Sequence, residues 1–326
     1  MPTTLKFKIP GRICLFGDKI DLLGKPVIAA TIEKFMDFEF ESREDGMIEF
    51  YSRDFPGERE VFSLDDKNQM FNYSTHLKYW HACLKSIENR IDDGSIQGFS
   101  AVVETDIPIG AGLSTSAAVS VGFLQGLNQF FKLGLSKSDI AEHAYDAEHN
   151  ILGIMCGRMD QYSITFGGVT FISTGKEPSV EELEVDCIPL VVGNSCEPRE
   201  AKKVLNRVKS ELEKGNPEYH EAFRKIYEVV MKGKQYLQNG CNLQEIGELM
   251  NLQQEQENIL DAATPKINSM CKAAIEHGAF GAKQMGAGGG GCMLACCPDP
   301  STQKRVADAL NAVGGQAEVI NIFMYP

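Results

Sequence analysis

The segment PIGAGLSTSAA, residues 108–118, has the residue types of an anion-binding turn. Its two glycines let the backbone approach a ligand closely, and three hydroxyl residues follow where a helix of small residues is predicted to begin. The first turn of a helix has unsatisfied amides and the positive end of the helix dipole, so a triphosphate is its natural occupant. The segment is neither a Walker A loop nor GxGxxG. An ordinary N-cap without a ligand is the alternative, and this turn alone does not decide between them.

Three further segments contain residues that could act on such an anion. They are PGRICLFGDKIDLLGKPVIAATI (10–32), EHNILGIMCGRMDQY (148–162) and GAKQMGAGGGGC (281–292). With the central turn, and in this order along the chain, they resemble the motif set of the GHMP kinases, the superfamily that includes galactokinase, homoserine kinase, mevalonate kinase and phosphomevalonate kinase. The resemblance implies a small-molecule kinase that uses ATP and Mg²⁺.

The resemblance assigns the triphosphate to the central turn and to the C-terminal glycine segment. Alone, the C-terminal segment could also be a flexible turn. The implied nucleotide-binding residues are Gly110, Ala111, Gly112, Leu113, Ser114, Thr115, Ser116, Gly286, Gly288, Gly289 and Gly290.

The resemblance also implies catalytic and metal-binding residues. Asp160 matches the aspartate that takes the proton of the acceptor hydroxyl, and Arg12 matches the arginine that galactokinases place beside it. Ser116 and Glu148, twelve positions before Asp160, match the magnesium ligands. The alternatives are a solvated helix face for Glu148 and a surface arginine for Arg12.

The acceptor is the least determined part of this interpretation. Where galactokinases read GEHTDY, this chain reads GDKIDL (17–22), which places Asp18, Lys19 and Asp21 at positions that contact sugar hydroxyls in the family. Gly157 is assigned to the substrate in the same way. Lys19 could bind an acidic group of the substrate, or it could pair with Asp18 or Asp21.

Two families of acceptor compete. The segments KPVIAATI, GELMNLQQEQ and GAGGGGC resemble mevalonate kinases, whereas Arg12 and CGRMDQ resemble galactokinases. Since substrate chemistry resides in the site rather than in the fold, we expect a galactose-like sugar or sugar acid that becomes a sugar 1-phosphate. Mevalonate is the alternative acceptor, and a non-catalytic regulator that binds sugar and nucleotide is the alternative of another class.

The elements that must position these residues follow from hydrophobic spacing. Short strands are predicted before residue 70, helical spacing over 71–91 and 136–152, a strand over 162–173, and a second half rich in helices. The acidic segment 177–186 is predicted to be a linker. We therefore expect an α+β fold with a mixed sheet, a GHMP kinase N-terminal domain over 1–185, a C-terminal domain over 186–326, and the active site in the cleft between them.

Composition limits the partners. The net charge of −13 argues against nucleic acid and anionic membranes, so a small-molecule substrate is expected. Because the N-terminus lacks an apolar signal and no segment is long enough to span a membrane, we expect a cytoplasmic protein, monomeric or homodimeric. The ten cysteines show no paired CxxC spacing, and Cys296 and Cys297 are interpreted as the end of a strand.

Overall fold

The computed structural model describes residues 3–55, 57–75, 77–185, 188–240 and 242–325. Strands and helices are both abundant, as expected for an α+β protein. The strands are β1 (Thr4–Phe16), β2 (Val27–Ser42), β3 (Met47–Ser52), β4 (Arg59–Ser63), β5 (Phe99–Thr105), β6 (Val169–Ser173), β7 (Ser179–Leu183), β8 (Leu190–Asn194), β9 (Gly281–Gln284), β10 (Cys292–Cys296) and β11 (Gln316–Ile320).

The helices occupy the middle and the C-terminal half of the chain. Among the described residues, no helix is both long and apolar enough to span a membrane. The helices are α1 (Lys67–Met70), α2 (Lys78–Ser86), α3 (Glu88–Asp92), α4 (Thr115–Phe131), α5 (Lys137–Asp146), α6 (Met159–Phe166), α7 (Ala201–Glu213), α8 (Pro217–Gln238), α9 (Leu243–Ile259), α10 (Pro265–Glu276) and α11 (Pro300–Ala312).

The chain forms two compact units, and each is assembled from segments that are not adjacent in sequence. The first unit comprises Met1–Gly11, Lys34–Pro108 and Ser114–Phe166, and the second comprises Arg12–Glu33, Ile109–Leu113 and Gly167–Pro326. The predicted domain boundary between residues 185 and 186 stays a prediction, and residue 186 lies outside the described residues.

The sheet of the first unit confirms the predicted mixed sheet. β3 pairs with β4 in antiparallel and with β5 in parallel orientation, and β5 pairs with the C-terminal part of β2, from Met36 to Ser42. Helix α4 packs on this sheet through Gly122 and Gly126, which face the rings of Phe38 and Phe40. The core of this unit is therefore built from aromatic rings under a helix of small residues.

The second unit contains the N-terminal part of β2, paired with β6, and an antiparallel sheet of order β11, β8, β10, β9. The buried strands β8 and β10 form a core with helices α10 and α11. Cys296 ends β10 and Cys297 follows it, so the interpretation of this pair as a strand end is confirmed.

Two local predictions are wrong. The predicted linker contains β7, which pairs with β6 despite its acidic sequence. Leu183 is buried, and the exposed Glu181 accepts hydrogen bonds from Lys234 and Gln238 of α8. The predicted strand over 162–173 begins as the end of α6, and only β6 is extended. Gly167 and Gly168, both with positive φ, separate the two elements. Helical spacing over 136–152 is confirmed at its start, where Ser136 caps α5 in a capping box with Asp139.

Gly126→Ala tests the packing of α4. A Cβ atom at this position would lie 2.2 Å from the Phe40 ring, which also stacks with Phe99 and Phe123 and cannot easily move. Overpacking costs about 1–3 kcal/mol, whereas alanine in a helix gains about 1 kcal/mol over glycine. We expect a lower free energy of unfolding in urea. Gln129→Ala on the exposed face of α4 is the control, and a more stable Gly126→Ala variant would contradict this packing.

Candidate active site

The central glycine turn has the backbone of an anion-binding loop. Gly110 and Gly112 have φ values of 76° and 95°, in the left-handed region that favours glycine, and α4 begins at Thr115. Ser114 precedes α4 with a φ of 63°, which is unusual for a residue with a side chain. The backbone therefore curves tightly immediately before the first turn of α4.

The Ser114 hydroxyl bears on the N-cap interpretation of this turn. It donates a hydrogen bond to the Asp160 carboxylate, and within the described part of the chain it makes no capping bond to α4. The N-cap alternative required that hydroxyl to satisfy a helix amide. The first-turn amides of α4 thus keep their capacity to bind an anion, and the turn lies next to the predicted catalytic aspartate.

The two predicted magnesium ligands are adjacent in the first unit. Glu148 lies in a π-helical turn, Ala147–Ile151, and its side chain is buried rather than on the solvated helix face considered as the alternative. Burial, together with the charge of Asp160, raises the pKa of Glu148 to about 7, against hydrogen bonds from Gln161, Ser116 and Ser120 that lower it. The Gln161 Nε2 to Glu148 Oε1 distance is 2.9 Å.

This donor set fits magnesium. A serine hydroxyl and a carboxylate are hard oxygen ligands, and magnesium in proteins is usually held by one or two carboxylates together with phosphate and water. Among the described residues, no cluster of three or more His, Cys, Asp or Glu side chains could hold a metal ion. A magnesium ion at Glu148 and Ser116 would therefore need phosphate oxygens, and its charge would favour the ionised form of Glu148.

In the second unit, Arg12 holds the central turn. Its side chain is only 3% exposed, so the surface alternative is wrong. Arg12 Nη1 donates to the Gly112 carbonyl at 2.8 Å, and its amide donates to the Leu113 carbonyl at 3.3 Å. The guanidinium thus holds the Gly112 carbonyl and adds a permanent positive charge beside the turn, while the Arg12 amide holds the Leu113 carbonyl.

The C-terminal glycine segment lies against the same turn in the second unit. A Cβ atom at Gly291 would lie 3.2 Å from the Ala111 carbonyl oxygen, and one at Gly288 would lie 2.4 Å from the Ala262 carbonyl oxygen. Only glycine allows this approach. The Arg199 guanidinium lies beside both segments, next to Gly112 and Gly286.

The predicted substrate residues Asp18 and Lys19 have internal partners. Asp18 accepts hydrogen bonds from Lys283, Gln253 and the Gly286 amide. Lys19 Nζ lies 2.5 Å from a Glu257 oxygen and donates to the Gly286 carbonyl at 3.0 Å. The principal partner of Lys19 is thus Glu257, which neither sequence alternative anticipated.

These charges shift one another's pKa values. Burial alone would raise the pKa of Asp18, but the positive charges of Lys283 and Lys19 outweigh it and hold that pKa below its usual range. The pKa of Lys283 is raised because Asp18 outweighs the effect of burial, and burial raises the pKa of Glu257. Asp18 and Lys283 therefore form an ionised pair inside the second unit.

The remaining assignments stay predictions. Asp21 and Gly157 are half-buried, in the second and first unit respectively. Sequence reasoning missed Gln161, which bonds Glu148, and also Glu257 and Lys283. A lysine in the buried, small-residue strand β9 is a signal that could have been noticed, because a lysine is almost never fully buried unless it is paired.

The comparisons with known proteins agree with these motifs. The model of the GHMP kinases N terminal domain matches residues 78–168, and the model of the GHMP kinases C terminal region matches residues 237–316. Together the two models match more than half of the chain.

Individual relatives include two kinds of kinase. The chain is 29% identical to a mevalonate kinase of Pyrococcus abyssi, over 99% of this chain and 96% of that protein. It is 35% identical to a galactokinase of Thermosipho africanus, over 50% of this chain and 43% of that protein. The crystal structure of Methanococcus jannaschii mevalonate kinase superposes on this chain with a TM-score of 0.83. The superposition covers 98% of this chain and 99% of that chain, at 22% sequence identity. That last similarity shows the shared fold alone.

Glu148→Gln tests the electrostatics of the buried carboxyl in metal-free buffer. Because the folded-state pKa of Glu148 is raised to about 7, the folded protein binds a proton that the unfolded chain has lost, and stability falls as the pH rises from about 4.5 to 7. We expect wild type to lose about 3 kcal/mol relative to Glu148→Gln over this range. Urea unfolding at pH 5, 6, 7 and 8 measures the difference.

The comparison cancels the titration of all other groups, since both proteins share them. Glu255→Gln, at an exposed position of α9, is the matched control and should differ from wild type by a constant amount. A difference between Glu148→Gln and wild type that did not vary with pH would contradict the raised pKa.

Proposed function

Because the chain belongs to the GHMP kinases and is a small-molecule kinase, we propose that it transfers the γ-phosphoryl group of ATP to a hydroxyl of a mevalonate-like hydroxy acid. The observation that carries this acceptor is the similarity to mevalonate kinases over almost the entire chain. The sequence similarity to a galactokinase extends over half of it, although a galactokinase structure shares the fold over 98% of the chain. This proposal replaces the sugar as leading acceptor and keeps it as the second candidate.

The environment of Asp18 supports the same choice. A galactokinase-like pocket needs a carboxylate at this position to contact sugar hydroxyls. In this chain the Asp18 side chain is fully buried, and both of its oxygens accept hydrogen bonds from other parts of the second unit. A sugar hydroxyl would have to displace a charged partner, which is unfavourable in a buried site.

The proposed mechanism relies on positioning and charge, as phosphoryl transfer requires. Asp160 accepts the proton of the acceptor hydroxyl while that oxygen attacks the γ-phosphorus and ADP departs. Ser114 orients the carboxylate by its hydrogen bond and favours its ionised form. Arg12 stabilises the charge of the transferring group, and the amides of the central turn and of the first turn of α4 bind the phosphates.

Ser116 and Glu148 would hold Mg²⁺, which neutralises phosphate charge when it is bound. The Tyr79 hydroxyl shares a hydrogen bond with Ser116, and burial raises its pKa to about 12, so it stays protonated and can donate. We also propose that the enzyme is cytoplasmic, as the cysteine thiols of the described residues support, most of them buried, and that it acts as a monomer or homodimer.

Asp160→Asn tests the proposed base. The amide keeps the shape and accepts the Ser114 hydrogen bond but cannot take a proton, so kcat should fall by about 100- to 10,000-fold. Affinity for a non-hydrolysable ATP analogue should stay within roughly threefold of wild type. Asp308→Asn, on the exposed face of α11, is the control. Unchanged turnover in Asp160→Asn would remove Asp160 from the mechanism.

A panel of acceptors tests the proposed substrate. ADP release is measured with ATP, magnesium and, in turn, mevalonate, galactose, other monosaccharides and uronic acids. We expect the highest kcat/KM with mevalonate. A higher value with a sugar or a uronic acid would support the second candidate, and binding of ATP without transfer to any acceptor would contradict the proposed reaction.

A further inference from the structure

Four charged side chains are buried together in the second unit, and the proposed mechanism uses none of them. They are Asp18, Lys19, Glu257 and Lys283, all at most 4% exposed. Ionised groups are rarely buried, and a buried ion pair is often no more stabilising than apolar residues of similar volume. Fold stability is therefore a weak explanation for the cluster.

The cluster contacts the backbone of one residue of the C-terminal glycine segment, Gly286. Asp18 Oδ1 accepts a hydrogen bond from the Gly286 amide, and Lys19 Nζ donates to the Gly286 carbonyl at 3.0 Å. Both backbone polar groups of Gly286 are thus held by adjacent side chains from the N-terminal motif. Gln284 Nε2 donates to the same carbonyl at 2.9 Å.

The partner charges hold these two side chains in place. Lys283 is ion-paired with Asp18, and Glu257 with Lys19, so neither contact to Gly286 leaves an isolated charge. Gln253 connects the two pairs, since its amide nitrogen donates to Asp18 and, at 3.4 Å, to Glu257. Hydrogen bonds to charged groups in such a dry environment are stronger than neutral ones.

Gly286 is connected to the central turn through the glycine segment and through Arg199. Five residues later, Gly291 lies against the Ala111 carbonyl, and Arg199 lies beside both Gly286 and Gly112. A shift of Gly286 would therefore be transmitted to the backbone that surrounds the phosphates in the proposed function.

We propose that Asp18 and Lys19 are positioning residues that clamp Gly286 and thereby set the phosphate-binding geometry of the central turn, rather than groups that contact the acceptor. The inference rests on the proposed use of ATP but not on the identity of the acceptor. It predicts that loss of the clamp weakens nucleotide binding and leaves acceptor binding nearly unchanged.

The test compares Glu257→Gln with the double variant Lys19→Met/Glu257→Gln. Glutamine at 257 can still accept from Lys19, so the single variant keeps the Lys19 bond to Gly286 and serves as the matched control. The double variant loses that bond without leaving a buried unpaired carboxylate. Binding of a non-hydrolysable ATP analogue is measured by calorimetry, together with KM for ATP and for the best acceptor.

We expect the double variant to bind the analogue about tenfold more weakly than the single variant, with KM for ATP raised in parallel and KM for the acceptor within about twofold. Equal analogue affinity in the two variants would overturn the clamp. A raised acceptor KM with unchanged analogue affinity would also overturn it, and would restore Lys19 as a substrate contact.

Two further variants separate this role from general stability. Thr31→Val removes the hydrogen bonds of the buried Thr31 hydroxyl with the Phe323 carbonyl and the Gly168 amide, away from the glycine segments. It should lower the melting temperature without changing analogue affinity. Gln284→Leu removes the neutral donor to Gly286 and should weaken analogue binding even if the charged variants fail to fold. Unchanged analogue affinity in Gln284→Leu would then overturn the clamp. Analogue binding needs no acceptor, so a failure of mevalonate as substrate leaves this comparison intact.

Discussion

A net charge of −13 opposes the binding of any polyanion, and this electrostatic constraint explains how the glycine segments are built. Positive potential must come from backbone amides and from a few cations fixed beside them. The left-handed backbone of the central turn leads directly into the first turn of α4, and Arg12 is buried and donates to the Gly112 carbonyl. The strained φ of Ser114 belongs to the same arrangement, since it frees the hydroxyl for Asp160.

The two buried carboxylates of the second unit show that environment, more than burial, sets the charge of a group. Asp18 and Glu257 are equally inaccessible, yet the pKa of Asp18 is lowered and that of Glu257 is raised. Asp18 faces two lysines and a backbone amide, whereas Glu257 depends mainly on Lys19. The more firmly ionised carboxylate is the one that holds the Gly286 amide, where a full negative charge makes the stronger hydrogen bond.

The sequence was sufficient for the family, the mixed sheet and the position of the glycine turn before α4, because these depend on local patterns such as PIGAGLSTSAA and on hydrophobic spacing. It failed where distant residues decide the outcome. β7 is acidic but is stabilised by pairing with β6, and residues 162–166 have strand-like composition but continue α6. Lys283 and Glu257 were not recognised as site residues, since their partners lie more than 230 positions away in the chain.

The acceptor illustrates a limit of motif comparison. A residue at a motif position reports on the substrate only if its side chain reaches the substrate. Asp18 and Lys19 differ from the galactokinase pattern, and that difference suggested an altered sugar pocket. Their side chains instead point into the second unit and bond its backbone at Gly286. Under the proposed clamp, these two substitutions support the proposed phosphate site, and acceptor specificity then comes from side chains outside this pair.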